Sequence, residues 1–239
     1  MTWSIIARDA SGALGIAIAS RFFAVGALCP CIRSGVGAVA TQALVNPLYG
    51  PRALHALEAG QSADEAICSA VTADDGREFR QLHVIAANGQ SARHTGTACI
   101  EWCGHLGGQD FSVAGNMLAG AQVIEATASF YQGNAALPFA QRLVEALAAG
   151  EAAGGDKRGK QAAALLIHAT EDYPALDIRV DDHADPIVEL RRLLDVSAER
   201  FQPFCAFLPT RANPVGTTDR AAIEAGIEQF HARRRAAAR

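Results

Sequence analysis

TWSIIARDASGALGIAIASR, residues 2–21, is the stretch whose reading decides the fold. Thr2 opens an apolar run that ends at Ala7, and a second run, Ala13–Ala19, follows across Asp9-Ala-Ser-Gly12. Two strand-length apolar segments around a short Gly-containing connection form a β-hairpin. The second run shows no polar–apolar alternation, so the strand it makes is covered on both faces. A sheet buried on both sides must lie between other layers.

Outward from this hairpin, a strand pair is expected around Cys31–Arg33 and Gly37–Thr41. A helix follows in which Pro51 suits the first turn, Leu54 and Leu57 line one face, and Gly60 ends it. Ser62-Ala-Asp-Glu65 is a capping box that starts a second helix with Ala66, Ile67, Ala70 and Val71 on its buried stripe. Asn88-Gly89 between Gln81–Ala87 and Gln90–Thr95 is a strong hairpin signal, because both residues tolerate positive φ. A strand near Phe111–Val113 leads into Gly115-Asn-Met-Leu-Ala-Gly120, and helical patterns occupy about Ala121–Tyr131 and Pro138–Ala149. Strands at Ala162–Ala169 and Asp177–Val180 and a helix at Pro186–Leu194 come next. No linker or repeat interrupts the chain, so residues 1–239 are expected as one domain, with 219–239 a helical or frayed C-terminal tail.

Helices arriving in pairs between groups of strands predict an α+β fold: a four-layer αββα sandwich of two stacked, mainly antiparallel sheets flanked by helices. A doubly wound fold would alternate single strands with single helices.

The chain has 239 residues, half of them hydrophobic and 19% charged, enough for a sizeable core and too apolar for disorder. Net charge is −4, which provides no basic field for a nucleic-acid backbone. The Arg-rich tail around Arg233–Arg235 reads as a helix end. No run approaches the ~20 apolar residues of a membrane span, and Arg8-Asp9 before the apolar run does not resemble a secretory leader. The six cysteines form no disulfide framework. Cytoplasmic location, no membrane or nucleic-acid partner, no cofactor and no metal are expected. Cys29-Pro-Cys31 and Cys99-x3-Cys103 lack zinc spacing, although Cys29 and Cys31 leave redox chemistry open. Asp181-Asp-His183 with Asp185 leaves a metal site open, against the alternation that sends neighbouring strand residues to opposite faces.

Thr2 is the foremost candidate for chemistry. Removal of Met1 would leave a residue with both an α-amine, of ordinary pKa ~7.7–8.0, and a hydroxyl, at the start of a strand. The amine can deprotonate the hydroxyl directly or through water, making one residue nucleophile and base together.

Further motifs surround it: Ala19-Ser-Arg-Phe-Phe-Ala-Val-Gly26, Gly35-Val-Gly-Ala-Val-Ala-Thr-Gln42, Asn46-Pro-Leu-Tyr-Gly-Pro51, His94-Thr-Gly96, Gly115-Asn-Met-Leu118, Gly154-Gly-Asp-Lys-Arg-Gly159 and Arg179-Val-Asp-Asp-His183. With residues 2–9, these resemble the bacterial domain of unknown function 1028 family, a family grouped with the N-terminal nucleophile (Ntn) hydrolases. The resemblance covers nearly all of residues 2–194. It implies the same αββα sandwich and amide-bond cleavage with Thr2 as nucleophile, and no particular substrate. Residues 12–21 are similar to the second strand of proteasome-type Ntn subunits, with one departure. Those subunits carry an acidic residue just before the Ser-Arg pair, where this chain has Ala19, and their catalytic Lys has no clear counterpart.

Arg33 is a candidate source of positive charge near the amine, though Arg cannot accept a proton. Asn116, after a strand and before a helix, reads either as an oxyanion donor with adjacent backbone N–H groups or as a turn residue beside Gly115. Ser20, Arg21, Thr41, Asn46, Gly115, Asp156 and Arg158 complete the expected substrate-binding set. Asn46-Pro47 reads equally as a helix cap, and Asp156 and Arg158 as a pair that fix one another. Gly154–Gly159 lacks the spacing of a phosphate loop. The sequence therefore points to an Ntn-type amidohydrolase for a small amide or peptide-like substrate, assembling as a homo-oligomer. The alternatives are a non-catalytic binding or scaffold protein on the same fold, and a metal enzyme using Asp156, Asp181 and His183.

Overall fold

Asp9 sets the first turn. Its Oδ1 accepts the Ser11 N–H at 2.9 Å, the Ser11 hydroxyl at 2.6 Å and the Ala13 N–H at 2.9 Å, while Gly12 takes φ +89°. This side-chain-closed turn returns β1 (Thr2–Arg8) as β2 (Leu14–Ser20), antiparallel, with Thr2 opposite Ser20 and Arg8 opposite Leu14. β2 is buried along its whole length, as an unbroken apolar run requires. The computed structural model describes residues 2–237, so Met1 and its removal lie outside the described residues, as do the last two residues of the expected tail.

The hairpin is followed by α1 (Val25–Leu28), β3 (Pro30–Arg33), β4 (Gly37–Ala43), α2 (Tyr49–Glu58) and α3 (Ala63–Val71). Then come β5 (Arg80–Ala86), β6 (Ser91–Thr95), β7 (Cys103–Gly108), β8 (Phe111–Asn116), α4 (Ala121–Gly133) and α5 (Phe139–Ala152). β9 (Ala162–His168), β10 (Leu176–Val180), α6 (Pro186–Ser197), α7 (Phe201–Cys205) and α8 (Arg220–Ala237) complete the chain. It divides into two compact units, one ending at Arg191 and one beginning at Arg192. The second unit is helical. Arg200 pairs there with Glu224 through contacts of 3.0 and 2.5 Å, and His231 Nε2 lies 2.8 Å from the Glu199 carbonyl.

Both sheets belong to the first unit. One has six strands in the order β10-β9-β2-β1-β8-β7, the other four in the order β3-β4-β5-β6, and every pairing is antiparallel. Between the sheets, Ile6, Leu14 and Ile16 of one meet Ala38, Ala40 and Ile85 of the other. Each such fully buried aliphatic side chain contributes about 1.5–3 kcal/mol. On the far face of the smaller sheet, Tyr49, Leu54, Leu57 and Ile67 of α2 and α3 pack on Val39, Leu82 and Val84. The capping box at the start of α3 is formed in both directions. On the far face of the larger sheet lies α5; at Gly15 an added Cβ would stand 2.6 Å from Leu143 and 2.9 Å from Phe139. The result is an αββα sandwich of two antiparallel sheets between helices.

Strand alternation then assigns faces. Even-numbered residues of β1 and β2 look toward the smaller sheet, odd-numbered ones toward the helices. β7 has no counterpart in the sequence reading. Cys103-Gly-His-Leu-Gly-Gly108 carries three glycines and no apolar alternation, and it pairs only along β8, as the edge of its sheet.

Gly12 allows a clean test of the turn. The nearest atom to an added Cβ is Arg8 Nη2 at 3.8 Å, so Gly12→Ala meets open space and pays only for the left-handed backbone. A loss of about 1–2 kcal/mol is expected, seen as a lower urea midpoint at unchanged m-value, with Gly12→Asn losing less.

Candidate functional site

Thr2 stands at the end of the sandwich where three strands meet. Its register partners are Ser20 on β2 and Asn116 on β8, and cross-strand partners present side chains on one face. That face looks toward the smaller sheet. Thr2 is 6% exposed, and its Oγ1 lies 3.0 Å from Ser20 Oγ. The Thr2 carbonyl is held by Asn116 Nδ2 at 3.3 Å and Gln42 Nε2 at 3.5 Å.

A buried polar layer runs from this point between the sheets, and its direction is determined. Gln81 Nε2 faces the carbonyls of Gly115 at 2.9 Å and Gly104 at 3.1 Å and the Thr95 hydroxyl at 2.9 Å. Carbonyls only accept, so the Gln81 amide nitrogen must occupy that side and Oε1 the other. Oε1 therefore accepts from Gln42 Nε2 at 2.7 Å and Asn116 Nδ2 at 3.1 Å. Gln42 Oε1 then accepts the Ser4 hydroxyl proton at 2.8 Å. With its proton spent there, Ser4 Oγ accepts from His83 Nε2 at 2.8 Å, and His83 Nδ1 accepts from Ser112 at 3.1 Å. His83 is thus a neutral Nε2–H imidazole. The same logic gives Asn116 its orientation: both amide protons point at Thr2 O and Gln81 Oε1, and Oδ1 is left with no hydrogen-bond partner although Asn116 is 1% exposed.

Two pockets flank Thr2 on opposite faces of the larger sheet. A pocket of about 360 Å³ lies at the mouth of the inter-sheet cleft, lined by Phe22, Leu44, Phe79, Ile100, Asn116 and Met117 among others. Two of its lining residues, Ala43 at the end of β4 and Met117 just past β8, hold left-handed φ of 68° and 54°. Such backbone costs non-glycine residues energy and clusters at functional sites. A pocket of about 190 Å³ opens on the helix side, lined by Trp3, Ala19, Ser20, Glu151, Asp156 and Lys160 among others. Lys160 Nζ is held there by Glu151 at 2.8 Å and Asp185 at 2.9 Å, contacts that raise its pKa above the ordinary lysine value.

The residues expected at the site separate into groups. Thr2, Ser20 and Asn116 come together, and Gly115 sits beside them with its carbonyl bonded to Gln81. Asp156 Oδ2 accepts the Arg21 backbone N–H at 2.8 Å, while its Oδ1 accepts the Arg158 N–H at 2.8 Å and the Arg158 guanidinium lies 3.3 Å away. Asp156 thereby ties residues 154–159 to the end of β2. Thr41 is buried with its hydroxyl on the Asn46 carbonyl at 3.2 Å. Asn46 Nδ2 donates to Asp74 at 2.8 Å, beside Tyr49 OH and Arg80, which favours a capping role. The Asn46 and Tyr49 donors hold the Asp74 carboxyl well below the usual carboxylate range.

Arg33 is a correction. It pairs with Gly37, five positions before Gln42 on β4 and so about 17 Å along the strand from the Thr2 contact, and it bonds Glu58. It supplies no charge to Thr2. Asn116 as an oxyanion donor is a second correction, since its amide protons are committed. Cys29 is pushed up to about 12 by burial, and burial also raises Cys31, so neither is a thiolate at neutral pH. Asp181 is bound by Arg179, Asp182 by Gln161, and His183 Nδ1 by the Asp185 N–H. Among the described residues no group of His, Cys, Asp or Glu is arranged to hold a metal ion, and no helix is long and apolar enough to cross a membrane.

Gln42, Gln81, His83 and Lys160 are absent from the sequence-derived set. The first three had a signal: Gln81, His83 and Ile85 alternate with Leu82 and Val84, so the polar side chains share the cleft face with a core residue.

The model of a family of unknown function (DUF1028) matches residues 2–190. Among solved structures, the crystal structure of protein SPO2555 from Silicibacter pomeroyi is similar at TM-score 0.85 and 28% identity, over 91% of this chain and 96% of that one. Anbu (ancestral beta-subunit) from Yersinia bercovieri aligns at TM-score 0.36 and 12% identity over 82% of this chain and 94% of that one, a level that carries no inference. No curated protein matches the chain.

His83 makes the polar layer sensitive to acid. Burial first, then the charge of Arg93, pushes its pKa from 6.5 down to about 3. The unfolded chain takes up a proton near pH 6.5 that the folded chain refuses until about 3. Stability from neutral His83 is therefore full above 6.5 and lost as pH falls toward 3, about 2 kcal/mol of it by pH 5. Urea unfolding at pH 7 and pH 5 should show that loss in wild type and a correspondingly smaller one in His83→Asn.

Proposed function

This chain belongs to the DUF1028 family, and from that premise we propose that it is an Ntn-type amidohydrolase cleaving a small amide or peptide-like substrate through Thr2. The observation that carries the proposal is the position of Thr2. It begins β1 at the lip of the cleft, with its hydroxyl 3.0 Å from Ser20 Oγ and its carbonyl clamped by Asn116 and Gln42. A clamped carbonyl fixes the backbone of the nucleophile, which is the positioning that converts binding into rate.

The chemistry needs the residue ahead of Thr2 removed. The freed α-amine takes the proton from Thr2 Oγ1, and Ser20 donates its own hydroxyl proton to the oxygen as charge builds on it. Oγ1 attacks the amide carbon, the C–N bond breaks with the proton delivered to the leaving nitrogen, and an ester to Thr2 remains. Water then cleaves that ester with the amine as base. Asn116 is an acceptor here and takes no part in holding the oxyanion.

A non-catalytic binding protein on the same fold is the second reading, favoured by Ala19 where proteasome-type subunits have an acid and by the near-complete burial of Thr2. Intact mass of protein purified from its native host separates the two: loss of Met1 supports hydrolysis, retention supports binding. In processed protein, Thr2→Ala should abolish turnover of small acyl amides with folding unchanged, and Ser20→Ala should lower kcat/KM by roughly 10–100-fold. Undiminished turnover by Thr2→Ala rules the assignment out.

A further inference from the structure

The pocket at the cleft mouth joins two features that normally exclude one another. Its rim is apolar and open: Leu44 is 62% and Ile100 61% exposed, with Phe22 and Phe79 beside them. Its wall carries Asn116, almost wholly buried, with an oxygen that no protein donor reaches. The orientation is not a matter of choice, because a flipped Asn116 would turn its oxygen toward Thr2 O and Gln81 Oε1, two acceptors. A buried acceptor without a donor is costly and marks a place where a donor is supplied from outside.

The lining also tells which donor. No acidic side chain lines this pocket among the described residues, and its one charged group is Arg158. An ammonium would lose its hydration there and gain a like charge in place of a counter-ion. A neutral N–H beside an apolar group meets both the acceptor and the rim. The volume of about 360 Å³ lies within the range of small-molecule sites.

We propose that the cleft-mouth pocket binds neutral secondary amides bearing an aliphatic or aromatic group, the amide N–H bonding Asn116 Oδ1 and the apolar group lying against Leu44, Phe79 and Ile100. This deepens the hydrolase reading by naming the substrate class, and it rests on that reading only for the claim that the bound amide is cleaved.

The test is therefore a binding measurement on the Thr2→Ala protein, which separates the pocket from the chemistry. The probes are N-methylhexanamide, methyl hexanoate and hexylamine, which share the chain and differ in the donor. Calorimetry should give an affinity for the amide at least tenfold above that for the ester or the amine. Asn116→Leu should bring the amide-to-ester ratio to about one. Because that change also removes two buried bonds, Leu44→Asp and Ile100→Asp at exposed rim positions give an independent check, each weakening the amide at least fivefold. Equal binding of ester and amide, preference for the amine, or no binding at millimolar probe overturns the proposal. So does concentration-dependent dimerisation abolished by Leu44→Asp with no probe bound, which would assign the rim to a second copy of the chain. If the Thr2→Ala protein binds the amide and still hydrolyses it, the nucleophile assignment fails while the pocket stands.

Discussion

The side chain of Gln81 sets the direction of every hydrogen bond in the layer between the sheets. It is pinned from one side by the carbonyls of Gly104 and Gly115, groups that only accept. That leaves its oxygen facing the opposite way, and each neighbour must then present a donor to it. Gln42, Ser4, His83, Ser112 and Asn116 follow in turn, each with one permitted orientation. Such a chain is stable only when complete, because one reversed amide would set two acceptors face to face in a low dielectric. The layer spans both sheets, so it fixes how they stack as well as how they are protonated.

The polar layer also explains why the Thr2 end of the sandwich differs from the other. Toward Ile6, Leu14 and Ile16 the inter-sheet space is filled by aliphatic side chains against Ala38, Ala40 and Ile85. Toward Thr2 it is filled by amides, hydroxyls and an imidazole. Strand β1 runs from one regime into the other, with Thr2, Ser4 and Ile6 on the same face. The hairpin at Asp9–Gly12 holds β1 and β2 in register over their whole length, which carries Ser20 to Thr2 at the far end. A local turn and a distant hydroxyl pair are thus parts of one construction.

Much of this was legible in the sequence, for reasons that are local. An unbroken apolar β2, the capping box at Ser62–Glu65 and the Asn88-Gly89 turn each speak through a few neighbouring residues, and the layered order of elements follows from them. Edge strand β7 was not legible, because its glycines are accommodated by neighbours remote in sequence: an added Cβ at Gly107 would meet the Arg93 guanidinium at 2.7 Å. Arg33 was misplaced for a similar reason. Its strand was recognised, but which end of β3 and β4 faces Thr2 depends on how the second sheet lies on the first. The signal for Gln81 and His83 was present as polar residues on the buried side of an alternating strand, and its meaning appears only when Ser4 and Ser112 arrive from the other sheet.

Asn116 shows how far a single residue's role depends on that long-range construction. In the sequence it follows a strand and precedes a helix, where an amide donor is the natural expectation. Thr2 O and Gln81 Oε1 take both of its protons, and the donor becomes an acceptor. The reversal originates two bonds away, in backbone carbonyls of β7 and β8 that never approach the pocket. It also decides what the cleft can hold. An oxygen facing an apolar recess selects a neutral N–H, whereas an amide nitrogen there would have selected a carbonyl or an anion. The polarity of the proposed substrate group is therefore set by the strand pairing of the larger sheet, and specificity at the mouth of the cleft is a consequence of how its floor is bonded.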